Sequence, residues 1–330
     1  MGEFDLIERF FKRPVRRADL GVGDDCALLP PAPGQQLAIS SDMLVEGRHF
    51  LSTVEPYRLG HKALAVNLSD LAACGAEPLA FTLALALPRA DAAWLDGFSR
   101  GLLALADAHG CELIGGDTTQ GPLNICITVF GQVPRRAADG TSLALLRSGA
   151  RAGDDLYVSG TVGDARLALE VFRGTLSLPQ AAFDAARARM EQPTPRVALG
   201  QALRGMATSA ADISDGLIGD LGHILKASRV GASIATAAAL PLLAQRAALA
   251  ALPPERADDL ALECVLAGGD DYELVFTAPP TARAAVQAAA AQAQTPVTRI
   301  GQIEAKPGLR LLDAQGQLLT RRFAGFDHFA

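Results

Sequence analysis

Six short clusters place aspartate beside glycine, serine or asparagine: Gly23-Asp24-Asp25, Ser40-Ser41-Asp42, Asn67-Leu68-Ser69-Asp70, Gly115-Gly116-Asp117-Thr118, Asp212-Ile213-Ser214-Asp215 and Gly268-Gly269-Asp270-Asp271. Each directly follows or opens an apolar segment. Carboxylates gathered at the ends of buried elements repel one another and lose hydration, so a fold that assembles them needs a compensating cation. Donor sets made only of oxygen favour a hard divalent ion, magnesium above all. Magnesium is usually held by a few carboxylates and completed by substrate phosphates. The expected ligand is a nucleotide or phosphate ester spanning several ions.

Each cluster also has a plainer reading. A single Gly-Asp-Asp is a turn before a strand, as Gly153-Asp154-Asp155 reads, but six acidic clusters in one chain point to function. Gly115-Gly116 lets a ligand or ion approach the backbone before Asp117 closely. Asp215 also suits a helix N-cap, and Asp70 a solvated helix end. His49, seven residues after Asp42, is either a packed loop histidine or a donor to a substrate phosphate. His61, His109, His223 and His328 lack metal spacing, which argues against zinc. Phe323, Phe326 and Phe329 crowd the end of the chain, to anchor the tail or to stack on a heteroaromatic ligand. The familiar phosphate loops are missing: there is no Gly-Lys-Ser/Thr, Gly21-Val22-Gly23-Asp24-Asp25-Cys26 fails the dinucleotide fingerprint, and the His-Arg-Asp and Asp-Phe-Gly pair of protein kinases is absent. If ATP binds, metals must carry most of its phosphate charge.

Apolar spacing predicts the elements that position these clusters. In the first half these are a helix over 3–12, a strand over 36–39 running into Ser40-Ser41-Asp42, and a helix from Pro56 to Cys74 stopped by Gly75. Asn67 and Asp70, three apart, share one face of that helix. Strands over 79–87, 111–114 and 123–133 and a helix over 91–109 follow. The stretch 134–150 interrupts the pattern and reads as a linker, which gives domains 1–136 and 137–330. Beyond it, strands are expected at 155–159, 209–213, 272–277 and 297–303, and helices at 164–172, 196–206, 215–227 and 280–291. Each half mixes sheet with helices, an α/β (α+β) class.

A chain of 330 residues with 49% hydrophobic content can bury a large core in two domains. The net charge of -6 argues against a broad nucleic-acid surface, so no nucleic-acid partner is expected. Among 30 basic residues only Lys12, Lys62, Lys226 and Lys306 are lysines, leaving arginine as the main local cation. The five cysteines form no Cys-x-x-Cys pair and read as reduced, mostly buried thiols. No apolar stretch is long enough to cross a membrane and the N-terminus lacks a signal pattern, so the expected location is cytoplasmic.

Together the motifs resemble the thiamine-monophosphate kinase family, within the aminoimidazole ribonucleotide synthetase-like superfamily. The resemblance runs nearly end to end and is carried by 21–27, by 39–45 with His49-Phe50, by 62–70, 114–119 and 213–217, and by Gly325-Phe326-Asp327-His328-Phe329. It implies the two-domain fold of that superfamily, each domain a mixed sheet covered by helices. The N-terminal domain would bind ATP and magnesium and form the dimer, and the C-terminal domain would complete the site. It also implies a homodimer joined through the N-terminal sheets, and an ATP- and magnesium-dependent conversion of thiamine monophosphate to thiamine diphosphate. Carried over position by position, Asp25, Ser40, Ser41, Asp42, Asp70, Asp117, Asp212 and Asp215 are the implied magnesium ligands. Gly116, Asp117, Arg147 and Ser214 are the implied ATP contacts, and His49, Asp270 and Phe326 the contacts to the thiamine compound. No side chain is implied as a covalent nucleophile. Asp270 stands where the family commonly has Glu, Phe326 where it often has Tyr or Trp, and the stretch 135–146 is longer than usual. The alternatives are another ATP-using enzyme of the superfamily, of the purine-biosynthetic or hydrogenase-maturation type, or a non-catalytic nucleotide-binding partner protein.

Overall fold

Two sheets organise the chain, one in each of two units. The structure, a computed structural model, describes residues 2–23, 25–321 and 323, without the side chains of Glu3 and Phe4. The first unit is Met1–Leu71 with Ala76–Ala144, the second Ala72–Gly75 with Leu145–Ala330.

The first unit holds α1 (Glu3–Phe10), β1 (Gln35–Val45), α2 (Pro56–Ala73), β2 (Glu77–Leu87), α3 (Ala92–His109), β3 (Glu112–Gln120) and β4 (Asn124–Pro134). Its sheet has the order β1-β4-β2-β3, with β4 antiparallel to both neighbours and β2 parallel to β3. On β4, buried Ile125, Ile127 and Val129 alternate with half-buried Cys126, Thr128 and Phe130, so only one face is sealed. Asp91 caps α3 by accepting from the N–H groups of Ala93 and Trp94 at 3.0 and 3.2 Å.

Two motifs sit inside strands rather than at their ends. β1 continues through Ser40-Ser41-Asp42 because its ladder with β4 runs unbroken from Gln35–Pro134 to Val45–Asn124. β3 likewise runs through Gly115-Gly116-Asp117 alongside β2. The stretch read as a linker folds back on itself: Arg136 N–H donates to Thr141 O at 2.7 Å, and Gly140 N–H donates to Arg136 O at 2.8 Å.

The second unit contains β5 (Asp155–Ser159), α4 (Asp164–Phe172), α5 (Gln180–Glu191), α6 (Val197–Ala202), β6 (Ser209–Asp212) and α7 (Leu217–Ser228). It continues with β7 (Gly231–Ala235), α8 (Thr236–Ala239), α9 (Pro254–Ala267), β8 (Leu274–Ala278), α10 (Arg283–Gln292), β9 (Val297–Glu304) and β10 (Gly308–Leu312). Its sheet order is β10-β7-β9-β5-β8-β6, antiparallel except where β10 meets β7. Every residue of β5 and β8 is buried, and Leu156, Val158, Ile213, Leu217, Val275 and Ile300 belong to its core. The helix expected over 196–206 is confined to α6, and α5, β7, α9 and β10 lie where spacing predicts no element.

Candidate functional site

In the first unit the strand–helix pair β1 and α2 builds the acidic constellation. The Ser40 hydroxyl donates to Asp70 Oδ2 on the last turns of α2. Alternation along a strand then turns Ser40 and Asp42 toward that helix and Ser41 away from it. Ser41 Oγ lies on the other face, 3.0 Å from Thr128 Oγ1 and 3.1 Å from the Ile127 carbonyl oxygen. Asn67, one turn before Asp70, accepts from the Asp42 N–H at 3.1 Å and donates to Ala63 O at 3.0 Å, tying the middle of β1 to α2. His49 accepts the Val45 N–H at Nδ1, 3.0 Å away. That bond requires the neutral ring to carry its proton on Nε2, which makes Nε2 the donor.

At the other edge of this sheet, Gly116 has φ 148°, and a β-carbon there would collide with the Leu83 carbonyl oxygen. Only glycine lets β3 lie this close to β2, and the exposed Asp117 follows directly. Asp25, Gly116 and Asp117 line one cavity of about 530 Å³, with Ile7 and Phe11 on its wall.

In the second unit two acidic loops are laced together through their backbones. Asp270 N–H donates to Ser214 O at 2.7 Å, Tyr272 N–H to Ile213 O at 2.8 Å, and Ile213 N–H to Glu273 O at 2.8 Å. Gly269 is left-handed at φ 72°, and a β-carbon there would stand 2.7 Å from Ser214 O. Asp212, the buried last residue of β6, lies opposite Leu274. Asp215 does not cap α7: Gly216 is the N-cap and makes no side-chain cap bond. Instead Asp220, inside the helix, reaches back and accepts from Ser214 N–H and Asp215 N–H, both at 3.0 Å. Burial pushes the Asp220 carboxyl up to about 7; the Asp215 charge adds to this, while the two N–H groups and Arg147 oppose it. The Arg147 side chain is exposed and its carbonyl accepts from Ser228 Oγ at 3.2 Å, the same hydroxyl that receives the Gly149 and Ala150 N–H groups. Phe326 lies outside the described residues.

Reasoning from the sequence missed the residues that hold the 268–273 loop. Glu273 is wholly buried and receives Arg196, Arg189 and Ser159; Asp271 is 3% exposed and accepts the Gly163 N–H at 2.8 Å. The signal was present: a glutamate running straight into Leu274-Val275-Phe276 enters a buried strand and demands a charged partner.

Among the described residues no three His, Cys, Asp or Glu side chains stand close enough to hold a metal by themselves. The donors present are carboxylate and hydroxyl oxygens, as in the Ser40–Asp70 pair. They fit magnesium, which takes one or two carboxylates and completes its shell with water and substrate phosphate. They do not fit a softer ion.

Residues 23–133 match the family model of the AIR synthase related protein N-terminal domain, and 151–314 that of its C-terminal domain. The chain is 47% identical over 335 aligned positions to thiamine-monophosphate kinase of Escherichia coli K12, covering 100% of this chain and 98% of that one. Its fold resembles the crystal structure of thiamine-monophosphate kinase from Stenotrophomonas maltophilia K279a, with TM-score 0.81, 43% identity and 92% of each chain covered. It also resembles AaThiL complexed with AMPPCP and TMP, with TM-score 0.74, 27% identity, and 91% of this chain and 89% of that one covered. On this evidence the chain belongs to the thiamine-monophosphate kinase family of AIR synthase related proteins.

Proposed function

We propose that the chain transfers the γ-phosphoryl group of ATP to thiamine monophosphate, yielding thiamine diphosphate and ADP. The observation that carries this reading is identity of 47% along the whole chain with a thiamine-monophosphate kinase. AaThiL was obtained with AMPPCP and TMP together, which supports ATP and thiamine monophosphate as the pair of substrates here.

The acceptor is itself a phosphate, so its oxygen is already anionic and no side chain need become a nucleophile or a strong base. The obstacle is bringing two polyanions into line. Asp25, Asp42, Asp70, Asp117, Asp212 and Asp215, with Ser40 and Ser41, are the residues we assign to magnesium, which when bound neutralises phosphate charge. Gly116, Asp117, Arg147 and Ser214 are assigned to ATP. His49 presents the Nε2 proton to the acceptor phosphate, while Asp270 and Phe326 bind the thiamine moiety. Catalysis is then positioning and electrostatics, with direct in-line transfer. The N-terminal part carries ATP, magnesium and the dimer contact, and the C-terminal part completes the site, with a boundary near 136. Leu37, Ile39 and Met43, exposed at 41%, 60% and 53% on the β1 face turned away from α2, support a homodimer through this sheet.

Chromatographic assay of ATP with thiamine monophosphate should show thiamine diphosphate and ADP in equal amounts, abolished by EDTA and restored by magnesium. ADP without thiamine diphosphate would reject the reading.

A further inference from the structure

Loop 268–273 carries Asp270 in a backbone that resists it. Asp270 and Tyr272 both adopt left-handed conformations, φ 63° and 54°, which cost free energy for any residue with a side chain and persist only where the surroundings over-determine them. One side of the loop is held by the bonds from Asp270 N–H and Tyr272 N–H to the 213–214 backbone. The other side is held by two arginines that no assignment above uses. Arg196 grips the buried Glu273 carboxylate with Nε at 2.6 Å and Nη2 at 2.5 Å, and Ser159 Oγ donates to the same group at 2.6 Å. Arg189, on α5, reaches Glu273 Oε1 at 2.8 Å and the Asp271 carbonyl oxygen at 3.3 Å with one nitrogen. It thus spans Tyr272, one of the two left-handed residues.

We propose that Arg189 and Arg196 are positioning residues of the acceptor subsite. Acting through Glu273 and the Asp271 carbonyl, they fix the backbone that presents Asp270. Through its bonds to the 213–214 segment they also fix Ser214. Arg196 anchors the end of the loop, and Arg189 holds its strained middle. This inference rests on the kinase reading above, because Asp270 matters only if the thiamine compound binds there.

The test compares Arg189→Met, Arg189→Lys and a control, Arg283→Met. The control removes one of two arginines from the buried Asp155, which keeps Arg299 at 3.1 Å. Glu273 keeps Arg196 and Ser159 in both Arg189 variants, so its charge stays paired and the fold should survive. The readouts are the thermal midpoint, kcat and KM for each substrate, and hydrogen exchange of 268–273 and 212–216. Both Arg189 variants should raise KM for thiamine monophosphate, the Met variant about tenfold, below the roughly hundredfold of a full 1 Å misplacement. The Lys variant should fall between it and wild type, and exchange should quicken in both segments. Arg283→Met should lower the midpoint and leave both KM values alone. Wild-type KM in the Arg189 variants, unchanged exchange, or an equal KM rise in Arg283→Met would each overturn the proposal. If the Met variant does not fold, the Lys variant decides by the same criteria. Should wild type make no thiamine diphosphate, the kinase reading fails and exchange alone decides the clamp.

Discussion

In the first unit Asp25 and Asp117 are exposed and Asp42 and Asp70 half-buried, the last held by a serine hydroxyl. In the second, Asp155 and Glu273 are wholly withdrawn from water and gripped by pairs of arginines, while the nearly buried Asp271 rests on a backbone N–H. A carboxylate left near water keeps its charge for a cation arriving with substrate. Asp155 and Glu273 have their charge answered by the chain itself and serve the fold. Asp25, Asp155 and Asp271 each close a Gly-Asp-Asp, and only their surroundings distinguish them.

The sharpest way to break this contrast is to remove a buried acid. Glu273→Ala leaves Arg189 and Arg196, 22% and 16% exposed, facing each other without their anion. Stability to urea should fall by about 3–5 kcal/mol, the cost of breaking a buried pair from one side. An unchanged midpoint would show that the network carries no structural weight.

Next in size is the opposite substitution. Asp42→Asn or Asp117→Asn removes an exposed or half-exposed charge, so the folded state should be as stable as wild type or slightly more so. Kinase turnover should nonetheless drop about 10²- to 10³-fold, the usual effect of losing one electrostatic group from such a site. A folded variant keeping more than about a tenth of wild-type turnover at saturating magnesium removes that residue from the metal assignment.

Asp271 gives a pH-dependent form of the comparison. Its Oδ2 is buried without a hydrogen-bond partner among the described residues, and burial holds its pKa well above the usual carboxylate range. The folded chain therefore keeps a proton that the unfolded chain has released. This stabilisation is complete below the unfolded pKa of about 4 and is lost as pH rises toward the folded value, at about 1.4 kcal/mol per pH unit. Asp271→Asn keeps an acceptor for Gly163 N–H and cannot ionise. Its stability should be flatter than wild type above about pH 4. Parallel curves would mean that Asp271 is charged in the native state.

These contrasts bear on what a sequence can disclose. Helix α3 was legible because Asp91 and Gly110 mark its ends, and the Asn67–Asp70 face because three residues nearly complete a turn. Ser40-Ser41-Asp42 looked like a strand end because three polar residues interrupt the apolar run. The ladder with β4 simply carries them onward. β7, made of Gly231, Ala232, Ser233, Ile234 and Ala235, has side chains too small to signal a strand. For the Arg189–Glu273 clamp, 84 positions of separation hide the pairing. The buried glutamate announced that a partner existed without saying which of 26 arginines it was.

The smallest expected effect concerns His49, which belongs to the open side of the comparison. It is half-buried, its Nδ1 is committed to the Val45 N–H, and Nε2 is the ring donor, so the role proposed for it is to donate and not to form a bond to phosphorus. Asparagine also offers one acceptor and a donor, but from a shorter, neutral amide. His49→Asn should therefore raise KM for thiamine monophosphate by roughly tenfold or less, about 1 kcal/mol, with turnover retained. If His49 carried the phosphoryl group instead, the same variant would be inactive, and γ-labelled ATP without acceptor would label the wild type stoichiometrically. Absence of label together with surviving turnover in His49→Asn places the histidine among groups that bind charge. Labelled protein that passes its phosphate to thiamine monophosphate would replace direct transfer with a two-step reaction.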